Sequence, residues 1–277
     1  MKQKLVTVYL VTCNRSSLLK RAILSVLNQT YKNIELIVVD DASSDNTEVV
    51  MRSLIKEYSK LHYLKLSENK GANYARNIAI EHAQGYFITG LDDDDEMLPE
   101  RIERLVDAYE ENYAFVTSEH YLEYGAVRKY KRLTSKKYIS FNDLLYANII
   151  GNQMLTTKDK ILKAGLFDEE IKAAQDHDMW LRLLQSGQKA KVIKEALQVI
   201  HIGHDSITMS NNKFLGYWQV YKKYKEFFSK NQRKYWLLNF YYWRGRKINL
   251  DNAIKLIAMH PKYFFISIAK IIKVNYK

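Results

Sequence analysis

Residues 5–41, LVTVYLVTCNRSSLLKRAILSVLNQTYKNIELIVVDD, contain two apolar, β-branched runs separated by an amphipathic stretch. The runs at 5–12 and 34–39 carry a single charge, Glu35, and so read as parallel strands buried on both faces. Between them Leu18, Leu19, Ala22, Ile23, Val26 and Leu27 recur at helical spacing over 16–29, behind serines suited to an N-cap. The same logic continues outward with a helix over 44–58, a strand over 61–66, a helix over 72–83, a strand over 86–91 and a helix opening at Pro99. Strictly alternating strands and helices predict a Rossmann-type, mostly parallel α/β sheet flanked by helices, with ligands bound beyond the carboxyl ends of the strands.

From about Tyr113 the pattern is irregular: a strand through Phe115 and Val116, tyrosine-rich extended pieces to Tyr138, and helices over 141–146 and 176–185. The expected organisation is a catalytic domain over 1–212, with a nucleotide-binding half (1–112) and an acceptor half (113–212), then a helical tail over 213–277. The 277 residues, 47% of them apolar, are enough for one large core. The single cysteine, Cys13, excludes an internal disulfide framework and a cysteine-built metal site, and suits a reducing compartment. No run of about 18 uncharged apolar residues occurs and Met1-Lys2-Gln3-Lys4 leads straight into a strand, so a cytoplasmic protein is expected.

The net charge of +12 is concentrated in the tail, where 15 Lys/Arg face only Glu226 and Asp251, alongside 17 of the 35 aromatic residues. Basic and aromatic side chains together suit an anionic membrane surface, which predicts peripheral attachment on the inner face of the cell membrane. Two other readings stay open: helices that pack their rings on the catalytic domain with lysines outward, and, less favoured, single-stranded nucleic acid.

Three stretches at the predicted strand ends carry chemistry. Asp92-Asp93-Asp94-Asp95 closes the fourth strand; adjacent carboxylates repel, and a hard divalent cation such as Mg²⁺ or Mn²⁺ relieves that repulsion. On an extended chain Asp92 and Asp94 share one face, and Asp93 and Asp95 the other. An acidic turn capping the next helix is the plainer reading. Asp40-Asp41-Ala42-Ser43-Ser44-Asp45 offers a carboxylate to a nucleobase edge, or a capped helix start. Asn69 through Asn77 contains Gly71 before a helix, with Lys70 and Arg76 available to a diphosphate or to solvent.

In order and spacing these stretches, with Val11-Thr12-Cys13-Asn14-Arg15, Ser25 through Tyr31, Gly165-Leu166-Phe167-Asp168 and Gln175 through Leu183, resemble the motifs of the GT-A-fold family 2 inverting glycosyltransferases over about residues 5–208. The resemblance implies a GT-A-like fold and transfer of a sugar from a nucleotide diphosphate donor, UDP-linked by preference. The acceptor would be a hydroxyl of a glycan or lipid-linked oligosaccharide in surface polysaccharide biosynthesis, and Mn²⁺ or Mg²⁺ the cofactor. It implies donor-nucleotide contacts from Thr12, Asn14, Arg15, Asp41, Lys70, Arg76, Asp92 and Asp93, and metal ligation by Asp92, Asp94 and His204. His204-Asp205-Ser206 is one residue shorter than the family's usual spacing, which leaves His201 as a rival ligand. Asp176 would be the catalytic base, taking the acceptor's proton. A nucleotidyltransferase would need a glycine-rich loop after the first strand, and a dinucleotide-binding dehydrogenase a G-x-G-x-x-G motif; Thr12 through Ser16 has no glycine. A nucleic-acid-binding protein using the tail would leave the acidic run purely structural.

Overall fold

The computed structural model describes residues 3–203 and 213–243. The first half follows the alternation: β1 (Val6–Thr12), α1 (Ser16–Leu27), β2 (Ile34–Asp40), α2 (Thr47–Glu57), β3 (Leu61–Lys65), α3 (Ala72–His82) and β4 (Phe87–Asp92). Every residue of β2 is buried, as an apolar run covered on both faces requires. The next helix, α4 (Arg101–Asp107), begins two residues beyond Pro99, because a short strand β5 (Glu96–Met97) intervenes and Leu98 donates its backbone N–H to Leu197 at 3.0 Å.

The second half is more regular than its sequence. It contains β6 (Tyr113–Tyr124), β7 (Val127–Lys131), β8 (Tyr138–Ile139), α5 (Phe141–Leu144), β9 (Leu155–Thr157), α6 (Lys158–Lys163), α7 (Gln175–Leu184) and a long β10 (Lys189–Ile202). Two tail helices follow, α8 (Lys213–Tyr224) and α9 (Lys230–Trp243). Among the described residues the strands form one sheet in the order β3-β2-β1-β4-β9-β6-β10-β5, with β7 on β6 and β8 on β10. The β1, β2, β3 and β4 pairings and the β6/β10 pairing are parallel, while β9 enters antiparallel between β4 and β6.

Each face of the sheet has its own core. Leu19, Ile23, Val26, Met51 and Ile102, from α1, α2 and α4, cover one face. On the other, Ala75 and Ile80 of α3 and Trp180 of α7 join Val220 and Tyr224 of α8 and Trp236 and Phe240 of α9. The boundary expected at residue 212 thus marks a change of composition, while α8 and α9 are built into the same core as α3 and α7. Lys222, Lys223 and Lys230 on these helices, and Lys225 between them, lie on the exposed side.

Candidate functional site

Parallel register aligns the carboxyl ends of β1, β2 and β4, placing Thr12 opposite Asp40 and Val11 opposite Asp92. The loops that leave these strands are tied to one another. Asn14, at φ 55°, accepts the backbone N–H of Ser44 on its side-chain oxygen at 2.8 Å and donates its own N–H to Ser43 Oγ at 2.8 Å. Asp40 accepts the Ser43 N–H (2.8 Å) and the Tyr63 hydroxyl (2.6 Å), so it braces the β2 turn. Asp41 accepts the backbone N–H groups of Lys70 (2.7 Å) and Gly71 (2.9 Å), joining the β2 loop to the start of α3. The Lys70 ammonium points elsewhere, pairing with Glu68 at 2.9 Å over the Tyr74 ring.

The acidic run does not remain a strand. β4 ends at Asp92, and Asp95 donates its N–H to the Asp92 carbonyl at 3.1 Å, closing a turn. Alternation is a property of extended backbone only, so Asp95, expected on the far face with Asp93, comes round to the side of Asp92 and Asp94. Asp92, Asp94 and Asp95 bring carboxylate oxygens within 4.8 Å of one another. Asp93 turns away, accepting Thr12 Oγ1 at 2.8 Å and Arg15 Nη1 at 2.9 Å, and the same Arg15 nitrogen lies 2.8 Å from Asp94.

Burial pushes Asp93 up to about 6, with the Thr12 hydrogen bond and the Arg15 charge pulling the other way. Asp95 is raised well above the usual carboxylate range, first by burial and then by Asp92 and Asp94. The trio fits a small hard cation: all its donors are oxygens, its charges are crowded, and Asp92 keeps 32% of its side chain exposed toward an incoming ligand.

Asp176 stands in the first turn of α7, directly after Ala174 and Gln175. Burial raises its pKa to about 7; Arg76 opposes this and Asp92 adds to it. Arg76, from α3, carries charge that acts on both carboxylates, with Nη2 3.4 Å from Asp92 and its guanidinium 5.5 Å from the Phe167 ring centroid. Tyr217 of α8 is close enough that burial and the Asp176 charge together push its hydroxyl up to about 12. The tail helix thus packs beside the first turn of α7, with the Tyr217 and His177 ring centroids 6.3 Å apart.

His201 turns its ring between Glu96 (2.7 Å) and Glu123 (3.3 Å), while its backbone N–H holds Asp95 at 3.1 Å; its imidazole does not join the trio. His204 lies outside the described residues. Sequence reasoning missed three groups around the acidic turn. Asn152 donates to Asp92 at 2.6 Å and Asp95 at 3.3 Å, Gln198 donates to Asp95 at 3.3 Å, and buried Arg101 faces Asp95. They reach it from β10, α4 and the loop before β9, and no local pattern in the sequence marks them.

A mostly parallel α/β sheet with helices on both faces and carboxylates gathered at its C-terminal edge is a fold of the GT-A type. Residues 7–167 match the family profile described as glycosyl transferase family 2, and the chain belongs to this family of glycosyltransferases. It is 36% identical over 262 residues to the putative colanic acid biosynthesis glycosyl transferase WcaA of Escherichia coli K12, spanning 92% of this chain and 94% of that one. It is 33% identical over 227 residues to the GalNAc(5)-diNAcBac-PP-undecaprenol beta-1,3-glucosyltransferase of Campylobacter jejuni, covering 78% and 72% of the two chains. Among solved structures, S. aureus TarS 1-349 in complex with UDP-GlcNAc superimposes with a TM-score of 0.67 at 16% identity, covering 97% of this chain and 88% of that one. The mannosyltransferase PcManGT from Pyrobaculum calidifontis, in complex with GDP-Man and Mn²⁺, gives 0.60 at 17% identity, covering 98% and 75%.

Proposed function

We propose that the protein transfers a sugar, with inversion, from a UDP-linked donor to a hydroxyl of a glycan assembled on a lipid-linked carrier, as part of surface polysaccharide synthesis. The observation that carries this reading is the carboxylate trio Asp92/Asp94/Asp95 near a buried Asp176, with Arg76 3.4 Å from Asp92 and its charge acting on Asp176 as well. The nucleotide would rest on the loops of Thr12, Asn14 and Asp41, beside Arg15. Asp176, held near pKa 7, accepts the acceptor hydroxyl's proton as that oxygen bonds to the anomeric carbon and the bond to the diphosphate oxygen breaks on the opposite face. Arg76 meets the charge that develops on the departing diphosphate. Mg²⁺ or Mn²⁺, held by Asp92, Asp94 and Asp95 together with the diphosphate, would supply Lewis-acid stabilisation of the leaving group. The names of the Escherichia coli and Campylobacter jejuni relatives support the glycan and lipid-linked acceptor, and the UDP-GlcNAc bound by TarS supports the donor.

The test is calorimetric titration with a panel of nucleotide sugars, with Mn²⁺ and after chelation. A UDP-sugar binds in Mn²⁺, and EDTA weakens it by roughly tenfold, about 1.4 kcal/mol. No affinity for any nucleotide sugar would discard the reading.

Among the described residues no helix is long and apolar enough to cross a membrane. Peripheral attachment is supported by the exposed lysines of α8 and α9 and by Phe227, 51% exposed among them. Co-sedimentation with anionic vesicles is expected, and should weaken as salt screens the lysines. Equal partitioning onto neutral and anionic vesicles would remove the electrostatic claim.

A further inference from the structure

Asp92 and Asp95 share a partner from the other half of the chain. Asn152 lies in the loop between α5 and β9, and its side-chain nitrogen donates to Asp92 Oδ2 at 2.6 Å and to Asp95 Oδ2 at 3.3 Å. A carboxamide nitrogen carries two hydrogens, enough for one to each carboxylate. Bridging them restrains the rotation of both groups together, with Arg76 Nη2 3.4 Å from Asp92 Oδ1 and the His201 N–H 3.1 Å from Asp95 Oδ1 on the far sides, in a cluster whose carboxylate oxygens lie within 4.8 Å of one another.

The loop that presents Asn152 is tightly specified. Gly151 has φ +92°, a conformation open to glycine and strained for other residues. Asn148 Oδ1 accepts the N–H groups of Ile150 (3.1 Å) and Gly151 (3.2 Å), and Asn148 Nδ2 donates back to the Gly151 carbonyl at 3.0 Å. That same carbonyl accepts the indole N–H of Trp180 at 3.0 Å, and Trp180 is fully buried on α7, four residues after Asp176. Gln153, also buried, places its amide nitrogen 3.3 Å from Asp92 Oδ1 or, with the amide turned over, 2.8 Å from the Gly90 carbonyl, and in either orientation anchors the loop to β4. The Asn152 amide is therefore aimed from two fixed points, one on the strand that ends in Asp92 and one on the helix whose first turn holds Asp176.

We propose that Asn152 is a positioning residue of the cation site, setting the geometry of Asp92 and Asp95 and tying it to the helix of the base. The inference rests on the reading of the carboxylate trio as a divalent-cation site. A hydrogen-bonded partner that orients metal-ligating carboxylates typically accounts for about 10–100-fold in metal affinity. The experiment is Mn²⁺ binding to the full chain with UDP present, followed by the electron paramagnetic resonance signal of free Mn²⁺, for the parent, Asn152→Ala and Asn152→Ser. Thermal unfolding in EDTA tests whether each variant is folded. Asn152→Ala should bind Mn²⁺ about 10–100-fold more weakly, with the weakening smaller in Asn152→Ser, which keeps one donor. If the alanine variant does not fold, weaker binding by the serine variant supports the proposal on its own. Mn²⁺ binding as tight as the parent's, or tighter, in the folded variants overturns it, since the amide would then be idle or a competitor for the carboxylates. A parent that binds no Mn²⁺ removes the cation reading itself, and this inference with it.

Discussion

Replacing Asp176 by asparagine should lower kcat by about 10²–10⁴-fold while nucleotide-sugar binding persists, because the variant keeps the shape of the side chain and removes only its capacity to accept a proton. The pH dependence follows from the same group. With the Asp176 pKa raised to about 7, kcat of the parent falls as pH drops below about 7, and this limb disappears from the residual activity of the variant. Stability moves in the opposite sense. The folded-state pKa lies above the unfolded carboxylate value near 3.9, so the folded state holds the extra proton between about pH 4 and 7. Native stability contributed by this group is present below that window and lost as pH rises through it. Asp176→Asn should therefore unfold at a higher temperature than the parent at pH 8, and the gap should close toward pH 4. An asparagine variant with unchanged kcat would remove Asp176 from the chemistry.

Trp236→Ala should destabilise the fold by about 3–5 kcal/mol, measured as a shift of the urea unfolding midpoint. Trp236 is only 2% exposed, its ring stacks on His177 with centroids 5.9 Å apart, and its indole N–H donates to the Leu145 carbonyl at 2.7 Å. His177 follows Asp176 directly and is itself bonded to the Leu144 carbonyl at 2.7 Å. Removing the indole opens a cavity beneath the first turn of α7 and leaves a buried carbonyl without its donor. Trp236→Phe keeps most of the apolar contact and isolates the second effect, at about 1–3 kcal/mol. A loss well under 1 kcal/mol in the alanine variant would mean that α9 is not part of this core. The expected coupling of tail to domain also sets how membrane attachment should be tested: on the full chain, since cutting at residue 212 would strip α8 and α9 from the core that supports Asp176.

The first half was legible because its signals are local. An apolar run such as 34–39 is covered on both faces whatever follows it, and the helices over α1 and α3 show their buried stripe within four turns. β10 was missed for the converse reason. Lys189–Ile202 mixes lysines, Glu195 and helix-favouring alanines, and it is strand because β6 pairs along it, through register shifts around Ala196, with β5 and β8 adding shorter pairings. The carboxylate set was partly legible. The run itself is visible, but its division depends on where β4 stops, and that is decided by the ladder to β1 and the turn at Asp95. Asn152 carried no signal, since it lies 60 residues after Asp92 and nothing in its neighbours marks the contact.

The sequence by itself determined the alternating sheet, the edge at which the chemistry-bearing residues collect, and the family, because periodicity and motif spacing are properties of the chain. Tertiary structure alone decided three things. Asp95 joins Asp92 and Asp94, while Asp93 is claimed by Thr12 and Arg15. The aromatic side of α8 and α9 faces inward, where Tyr224, Trp236 and Phe240 join the apolar cluster formed with α3 and α7. Asp176 acquires a pKa near 7 because burial, helped by the Asp92 charge, outweighs the opposing charge of Arg76, a property of its surroundings that no local pattern encodes.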